Sequence, residues 1–375
     1  MNMSTDDLFF TILRSSLWSE APNVNGLVDP DWKAVFAMAR EQTVDGLMAD
    51  GIASLNKSDS PVGIPPEYVR SLMIQTIGIE RANAGLNKAL AEIAGLLKEN
   101  GIEFCLVKGQ GVARNYPHPE HRSPGDIDFL LDDGNYRRAS TLLTSIADEV
   151  LEENVRKKHL GMMFHGKVNV ELHGTVRASF GEAVNNVIDS MQDELFRERN
   201  FRHWDCLGVD IALPSVKFDS VFIFTHFVQH FYHSGLGLRQ VCDWTTHLHR
   251  FASEIDSEWI EQRLKALGMM REWKAFGYFA VSRLGLPKEE MPFFDPHFAK
   301  YSDMIWASMK HSGNFGRKMN AGRDMNSEPF LLRKIRSLKG HLVWMSRHFS
   351  LSPRNTIKAI CHTLCYGMAA AAKGI

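Results

Sequence analysis

Arg122-Ser-Pro-Gly-Asp-Ile-Asp-Phe-Leu-Leu131 decides how the rest of the chain is read. Pro124 and Gly125 close a loop, and Asp126-Ile-Asp-Phe-Leu-Leu131 then runs as a short, apolar-rich strand. Side chains two apart on a strand share a face, with Cα atoms ~7 Å apart, so Asp126 and Asp128 stand together while Ile127 turns into a core and holds the register. Two carboxylates held this way can share a pair of divalent cations. A lone Asp-x-Asp is common at solvated strand ends. This one follows a strand ending in Lys108-Gly109 and runs directly into Phe129-Leu-Leu131.

Upstream, Ile102-Glu-Phe-Cys-Leu-Val107 lies between glycines and reads as a buried strand. Lys108-Gly-Gln-Gly111 and a short helix to Tyr116 follow, then a loop marked by Pro117, Pro119 and Pro124. Downstream, Tyr136 to Ile146 reads as a helix. Val168-Asn-Val-Glu-Leu-His173 alternates as a third strand, hairpin-paired through Gly161–Gly166. Val168, Val170 and Leu172 face one side of it; Asn169, Glu171 and His173 face the other. With this strand beside the Asp126 strand, Asp126, Asp128 and Glu171 converge on one patch. Mg²⁺ or Mn²⁺ suits such hard oxygens together with substrate phosphates. Two ions ~4 Å apart would activate an attacking hydroxyl and stabilise a leaving pyrophosphate.

Helical periodicity flanks this stretch. Leu8, Ile12, Leu13 and Leu17 recur at helix spacing, then Val35, Met38 and Ala39, then Val44 and Leu47. After a loop at Ser58–Pro66, Leu86, Leu90, Ile93 and Leu97 form one stripe that stops at Asn100-Gly101. From about Val216 the pattern is helical again to the C-terminus. The order predicts an α+β fold, a small mixed-sheet core embedded between helical regions at both ends. Its divisions are an N-terminal helical region (1–80), the α/β core (81–205), a helical domain closing a cleft (206–328) and a basic C-terminal helical segment (329–375).

Composition narrows the class. The chain has 375 residues, 44% hydrophobic and 23% charged, enough apolar material to build a sizeable core and exclude overall disorder. The formal net charge of −1 argues against a surface built throughout for nucleic acid. It hides an asymmetry. Eight basic residues and no acidic one follow Glu328, namely Arg333, Lys334, Arg336, Lys339, Arg347, Arg354, Lys358 and Lys373, so residues 1–328 carry −9. That segment can dock on the acidic body, line a substrate groove, or meet an RNA or membrane surface. The polar, acidic Met1–Asp7 lacks the features of a secretory signal, and no run reaches the ~18 apolar residues of a membrane span. Five cysteines with no CxxC pair fit reduced thiols in the cytoplasm.

Taken together, Leu106-Val-Lys-Gly109, Tyr116-Pro-His-Pro119, Arg122-Ser-Pro-Gly-Asp-Ile-Asp128, Val170-Glu-Leu-His173, His226 to Asp243 and Gly313-Asn-Phe-Gly316 resemble the uncharacterised nucleotidyltransferases found in bacteria. These are members of the DNA polymerase β-like nucleotidyltransferase superfamily. The resemblance implies Asp126, Asp128 and Glu171 as metal ligands. It also implies transfer of a nucleoside monophosphate from an NTP to an acceptor hydroxyl of a sugar, small metabolite, peptide or RNA. The wider superfamily has Gly-Ser after its first strand where this chain has Lys108-Gly109-Gln110-Gly111. Lys108 and the amides around Gly109, Gln110 and Gly111 are then candidates for the phosphates. Equally, Lys108 is a lysine ending a strand beside turn glycines.

Arg122 can reach a phosphate in bidentate fashion or pair with Glu120 or Asp132. His226-x3-His230-x2-His233 shares one helical face, as do Arg239 and Asp243 on the next helix. Phe227 after the first histidine excludes the zinc-protease reading, which needs a Glu there. The cluster then serves as a nucleotide or acceptor pocket including His230 and Arg239, a separate metal site, or buried polar ties between two helices. Asp243 is the candidate base for the acceptor, by resemblance to enzymes whose helical domain supplies a carboxylate. Gly313-Asn-Phe-Gly316 reads as substrate contact or a helix-capping turn. Alternatives in function are a catalytically silent nucleotide- or partner-binding module of the same fold and a toxin-like RNA modifier.

Overall fold

The computed structural model describes residues 3–56, 63–154, 158–316, 338–340 and 342–372. Residues 58–62 of the Ser58–Pro66 loop lie outside them, as do Arg333, Lys334, Arg336 and Lys373 of the basic segment. Helices α1 (Thr5–Trp18), α2 (Trp32–Glu41) and α3 (Asp45–Asn56) open the chain where the apolar spacing put them. Ser4 and Asp31 cap the first two, accepting from the amides of Asp7 and Ala34. α4 (Pro66–Glu99) starts with proline in its first turn, where an N–H has no partner to lose. It buries Leu86, Leu90, Ile93 and Leu97 and ends before Gly101, whose φ of 60° releases the chain.

The sheet is built from β1 (Cys105–Val107), the short α5 (Gly109–Ala113), β2 (Ile127–Leu130), α6 (Asp133–Thr144), β3 (Glu149–Asn154), β4 (His159–Phe164) and β5 (Val168–His173). Strand order is β1-β2-β5-β4-β3. β2 and β5 run parallel and the other neighbours antiparallel, so the sheet is mixed as expected. Two details differ from the sequence reading. β2 begins at Ile127, leaving Asp126 on the loop just ahead of it. β3 has no counterpart in the sequence pattern, because Glu149-Val-Leu-Glu-Glu-Asn154 is an edge strand whose charges mask its period.

Neither α7 (Glu182–Glu198) nor the hairpin that follows it, β6 (Arg202–Cys206) and β7 (Val209–Leu213), has a counterpart in the sequence reading. Leu207 (φ 54°) and Gly208 (φ 86°) make its tight turn. The chain then becomes helical, as expected, through α8 (Val216–His233), α9 (Leu238–Arg250), α10 (Ser257–Leu267), α11 (Met270–Phe279), α12 (Ser302–Ser312) and α13 (Pro353–Ala372).

Two apolar cores sandwich the sheet. One joins Leu106, Ile127, Phe129, Leu160, Met162, Val170 and Leu172 to α4, α6 and the β6–β7 hairpin. The other joins Cys105, Val107 and Leu130 to the helices from both ends of the chain. Every polar residue that alternates with the first core's side chains therefore faces the helical half. The described part of the basic segment packs on that half. Trp344 Nε1 donates to the Phe231 carbonyl (3.1 Å), His348 lies on the Phe231 ring at 4.0 Å, and Asn355 donates to Glu272 (2.7 Å). No helix among the described residues is long and apolar enough to cross a membrane.

Candidate active site

Parallel pairing of β2 and β5 puts Asp128 directly beside Glu171, and Leu130 beside His173. Ile127, Phe129, Val170 and Leu172 are buried in the first core, so the pleat turns Asp128 and Glu171 the other way. Asp126, one residue ahead of the strand, joins them, close enough for their charges to act on it. Burial, then the like charges of Asp128 and Glu171, push its carboxyl above the usual range. The three carboxylates that the alternation singled out do share one patch.

Lys108 and two histidines answer part of that charge. Lys108 ends β1 with φ 58° and ψ −151°, a backbone state costly for any residue but glycine. Gly109 follows at φ 46°, and a Cβ there would lie 3.0 Å from the Asp126 carbonyl. This kink sends Lys108 Nζ to Asp128 Oδ1 at 2.8 Å. His173 Nε2 lies 2.9 Å from the same oxygen and 3.2 Å from Glu171 Oε2. His159 Nε2 also lies 3.2 Å from Glu171 Oε2, placed there by the β4–β5 register, which sets it opposite His173. Burial alone would raise the carboxyls of Asp128 and Glu171. Lys108 and His173 around the first, and His159 and His173 around the second, outweigh it and hold both below their ordinary values. The imidazolium of His173 is favoured despite its burial, because both carboxylates accept from it. His159, Glu171 and His173 also bring ligand atoms within 4.8 Å of one another, a group that could hold a metal ion only once His173 gives up its proton.

Asp126 and Asp128 of this patch line a cleft of about 700 Å³. Its walls bring together Lys108, Gly109, Arg122, Asp126, Asp128, His226, Arg239 and Asp243, all singled out in the sequence, with Arg81 of α4 and Asn314-Phe315. Arg239 is the most unusual of these. Its NH1 donates to the carbonyls of Ser123 (3.0 Å) and Pro124 (2.9 Å), its Nε is buried without a partner, and no carboxylate pairs with it among the described residues. Burial and the neighbouring Arg122 lower it to about 10.

Arg122 and Asp243 meet each other instead of a substrate. Arg122 Nε donates to Asp243 Oδ1 (2.7 Å) and NH2 to Oδ2 (2.8 Å), and the Tyr116 hydroxyl donates to Oδ1 (2.8 Å). The arginine is 4% exposed and the aspartate 7%, so this is a buried bidentate pair tying the loop before β2 to α9. In this structure the Arg122 fork is filled by Asp243, and neither Glu120 nor Asp132 is its partner. Both oxygens of Asp243 accept from the loop, so each group is offered to its protein partner first. α4 reinforces the tie through Asn83 Nδ2, which donates to the carbonyls of Glu120 (2.7 Å) and Arg122 (2.9 Å).

Other candidates leave the site. Gln110 turns back to α4, donating to Asn87 Oδ1 at 2.9 Å, and Gly111 allows Leu213 of β7 to pack where a Cβ would stand, 2.8 Å away. The three histidines of α8 diverge. His226 lines the cleft, His230 bonds Ser234 Oγ (2.8 Å) and meets Phe315, and His233 reaches the Ser179 carbonyl (3.1 Å). They do not converge on a common ion. Burial and Lys108 keep His226 and His230 neutral, the latter at about 4. Gly313-Asn-Phe-Gly316 is both things at once: Gly313 N–H caps α12 on Met309 O, and Asn314 and Phe315 line the cleft.

His173 was legible on the polar face of its strand beside Glu171. His159, Tyr116 and Arg81 enter only through register and packing. A family model described as uncharacterised nucleotidyltransferase matches residues 29–285, well over half of the chain. No curated protein and no solved structure matches it.

Proposed function

The chain belongs to the family of uncharacterised nucleotidyltransferases, and from that premise we propose that it moves a nucleoside monophosphate from an NTP to an acceptor hydroxyl, releasing pyrophosphate. The observation that carries the reading is Asp126 and Asp128 lining a cleft whose wall holds an unpaired arginine, with Glu171 in register beside Asp128. The donor set fits a hard divalent cation, Mg²⁺ or Mn²⁺, held by Asp126, Asp128 and Glu171. Three carboxylates crowd one patch, and the like charges of its neighbours help to raise Asp126. When bound, such ions supply charge neutralisation at the transferred phosphoryl group and lower the pKa of the attacking hydroxyl.

The chain's own residues position the rest. Arg239 offers unused donors to the triphosphate, and a buried cation without a counter-ion gains most from an anion. Lys108, which lies on Asp128 at 2.8 Å, borders the cleft where it could turn to the phosphates. The acceptor oxygen attacks the α-phosphorus as its bond to the pyrophosphate oxygen breaks, a reaction governed by alignment and charge. Arg122, Tyr116 and Asp243 hold the wall on which Arg239 sits. Gly109 and Lys108 shape the approach beside Asp126.

The test is incubation with Mg²⁺ or Mn²⁺ and each labelled NTP, with cell extract as the source of acceptor. Transfer that disappears in Asp126→Ala/Asp128→Ala supports the reading; transfer unchanged by that pair refutes it. One observation favours a second reading. Asp128 Oδ1 already meets both Lys108 and His173, an arrangement that suits a catalytically silent nucleotide-binding module. NTP binding without transfer to any acceptor would select it.

A further inference from the structure

We propose that Phe315 is the platform on which the base of the bound nucleotide stacks, an aromatic subsite beside the phosphate wall; this rests on the nucleotidyl-transfer reading above. Most large aromatic side chains in the helical half are buried, with Phe227, Phe231 and Phe276 all at 0% exposure; Phe349, at 48%, is exposed but does not line the cleft. Phe315 is 39% exposed, and its flanking Asn314 and Gly316 are buried. It lines the same cleft as Lys108, Asp126, Asp128 and Arg239.

The backbone works to keep the ring there. Phe315 has φ 51° and ψ 32°, a left-handed state that is uncommon for a bulky residue and costs free energy. Gly313 (φ 61°) and Gly316 (φ 68°) bend the chain on either side. The loop between α8 and α9 locks the bend from below. A Cβ on Gly237 would lie 2.6 Å from Asn314 Oδ1, and one on Gly235 would lie 2.9 Å from Gly316 N. Under the ring, His230 meets Phe315 at 4.8 Å and 82°, and Ser234 holds that imidazole at 2.8 Å. A filler side chain needs none of this. A fixed, half-exposed aromatic surface is what a flat ligand requires.

Chemistry decides which part of the ligand lies there. The cleft already has cationic donors for phosphates and carboxylates for metal, and what remains of an NTP is a ribose and a planar, weakly polar base. The geometry suits that order. His226 lies close enough to Lys108 to feel its charge, and its ring is 4.7 Å from that of His230, which touches Phe315. Phe315 is thus two ring contacts along the wall from a residue at the phosphate end. Stacking tolerates every base, so this residue supplies affinity more than choice among NTPs.

The test measures equilibrium binding of ATP, and separately of inorganic triphosphate, to the full chain with Mg²⁺. Phe315→Ala should weaken ATP roughly 5- to 100-fold, the range for loss of one base–aromatic stack, and leave triphosphate unchanged. Phe315→Leu, which keeps apolar bulk without a π-face, should behave like Phe315→Ala, and Phe315→Trp should restore ATP binding and show fluorescence quenched by it. ATP affinity untouched by Phe315→Ala overturns the assignment while nucleotidyl transfer stands. So does an equal loss for ATP and triphosphate, or a rise confined to the KM of the acceptor. If the unaltered chain binds triphosphate and ATP equally, there is no base subsite and the proposal falls. If it binds neither, the nucleotidyl-transfer reading falls, and this one with it.

Discussion

The cleft holds two acidic groupings built to opposite principles. On the inner strands β2 and β5 and the loop just ahead of β2, Asp126, Asp128 and Glu171 crowd together, and the like charges help to push the Asp126 carboxyl up. Deeper in the wall, Asp243 takes two bonds from Arg122 and one from Tyr116 and is nearly inaccessible. The first grouping has more negative charge than its protein partners match. The second is fully matched, although Asp243 lines the same cleft and is no more buried than Asp128. Buried charge is tolerated where partners are complete, and an incomplete set persists where a ligand completes it. That contrast, more than residue type, separates ligand-facing carboxylates from architectural ones.

Asp126→Asn strikes the unmatched grouping hardest. Transfer should fall about 1000-fold, the several kcal/mol that charge stabilisation at the phosphoryl group supplies. The melting temperature should hold or rise, since repulsion is relieved. A collapse in melting temperature would place Asp126 with the architectural set. The matched grouping should respond the other way. Arg122→Met strands Asp243 and should cost about 3–5 kcal/mol of unfolding free energy in a denaturant titration. Arg122→Met/Asp243→Leu should lose less than the sum of the single changes, and simple additivity would mean that the two are not coupled.

Arg239→Met probes the residue between the two. Affinity for inorganic triphosphate should drop roughly 10- to 100-fold, the worth of a charge-assisted hydrogen bond to an anion, with a stability loss of about 1–3 kcal/mol from the loop carbonyls left without a donor. The smallest effect concerns pH. On the loop that carries Arg122, His121 lies between Asp50 (2.7 Å) and Glu80 (2.9 Å), which hold its imidazolium above the usual 6.5 against the opposing effect of burial. A raised folded value means that the stabilisation is complete below about 6.5 and is lost as pH rises through the higher folded value. The gap in melting temperature between the unaltered chain and His121→Asn should therefore narrow from mildly acidic to alkaline buffer. The Arg122 tie should show no such dependence, because its arginine, raised further by Asp243, stays charged throughout.

Local pattern was enough to find the helices at both ends, three strands of the sheet and the converging carboxylates. Period and burial are properties of neighbouring residues, and alternation in Val168–His173 already put Glu171 and His173 on one face. Helical spacing also located Arg239, whereas the Gly313–Gly316 loop came only from the family resemblance. The roles of charged pairs were another matter. Nothing near Arg122 in the sequence marks Asp243, 121 positions away, as its partner, so a guanidinium legible as phosphate-binding became a strut. Gln110 and Gly111 looked like phosphate contacts until helix α4 and strand β7 were seen to occupy their side of the turn. His159 joined the acidic patch only through strand register. Sequence by itself determined which residues face a core and which carry charge, because that follows from local period and chemistry. Tertiary structure alone decided which charges are matched, because a counter-ion is chosen by distance in space and the chain brings it from anywhere.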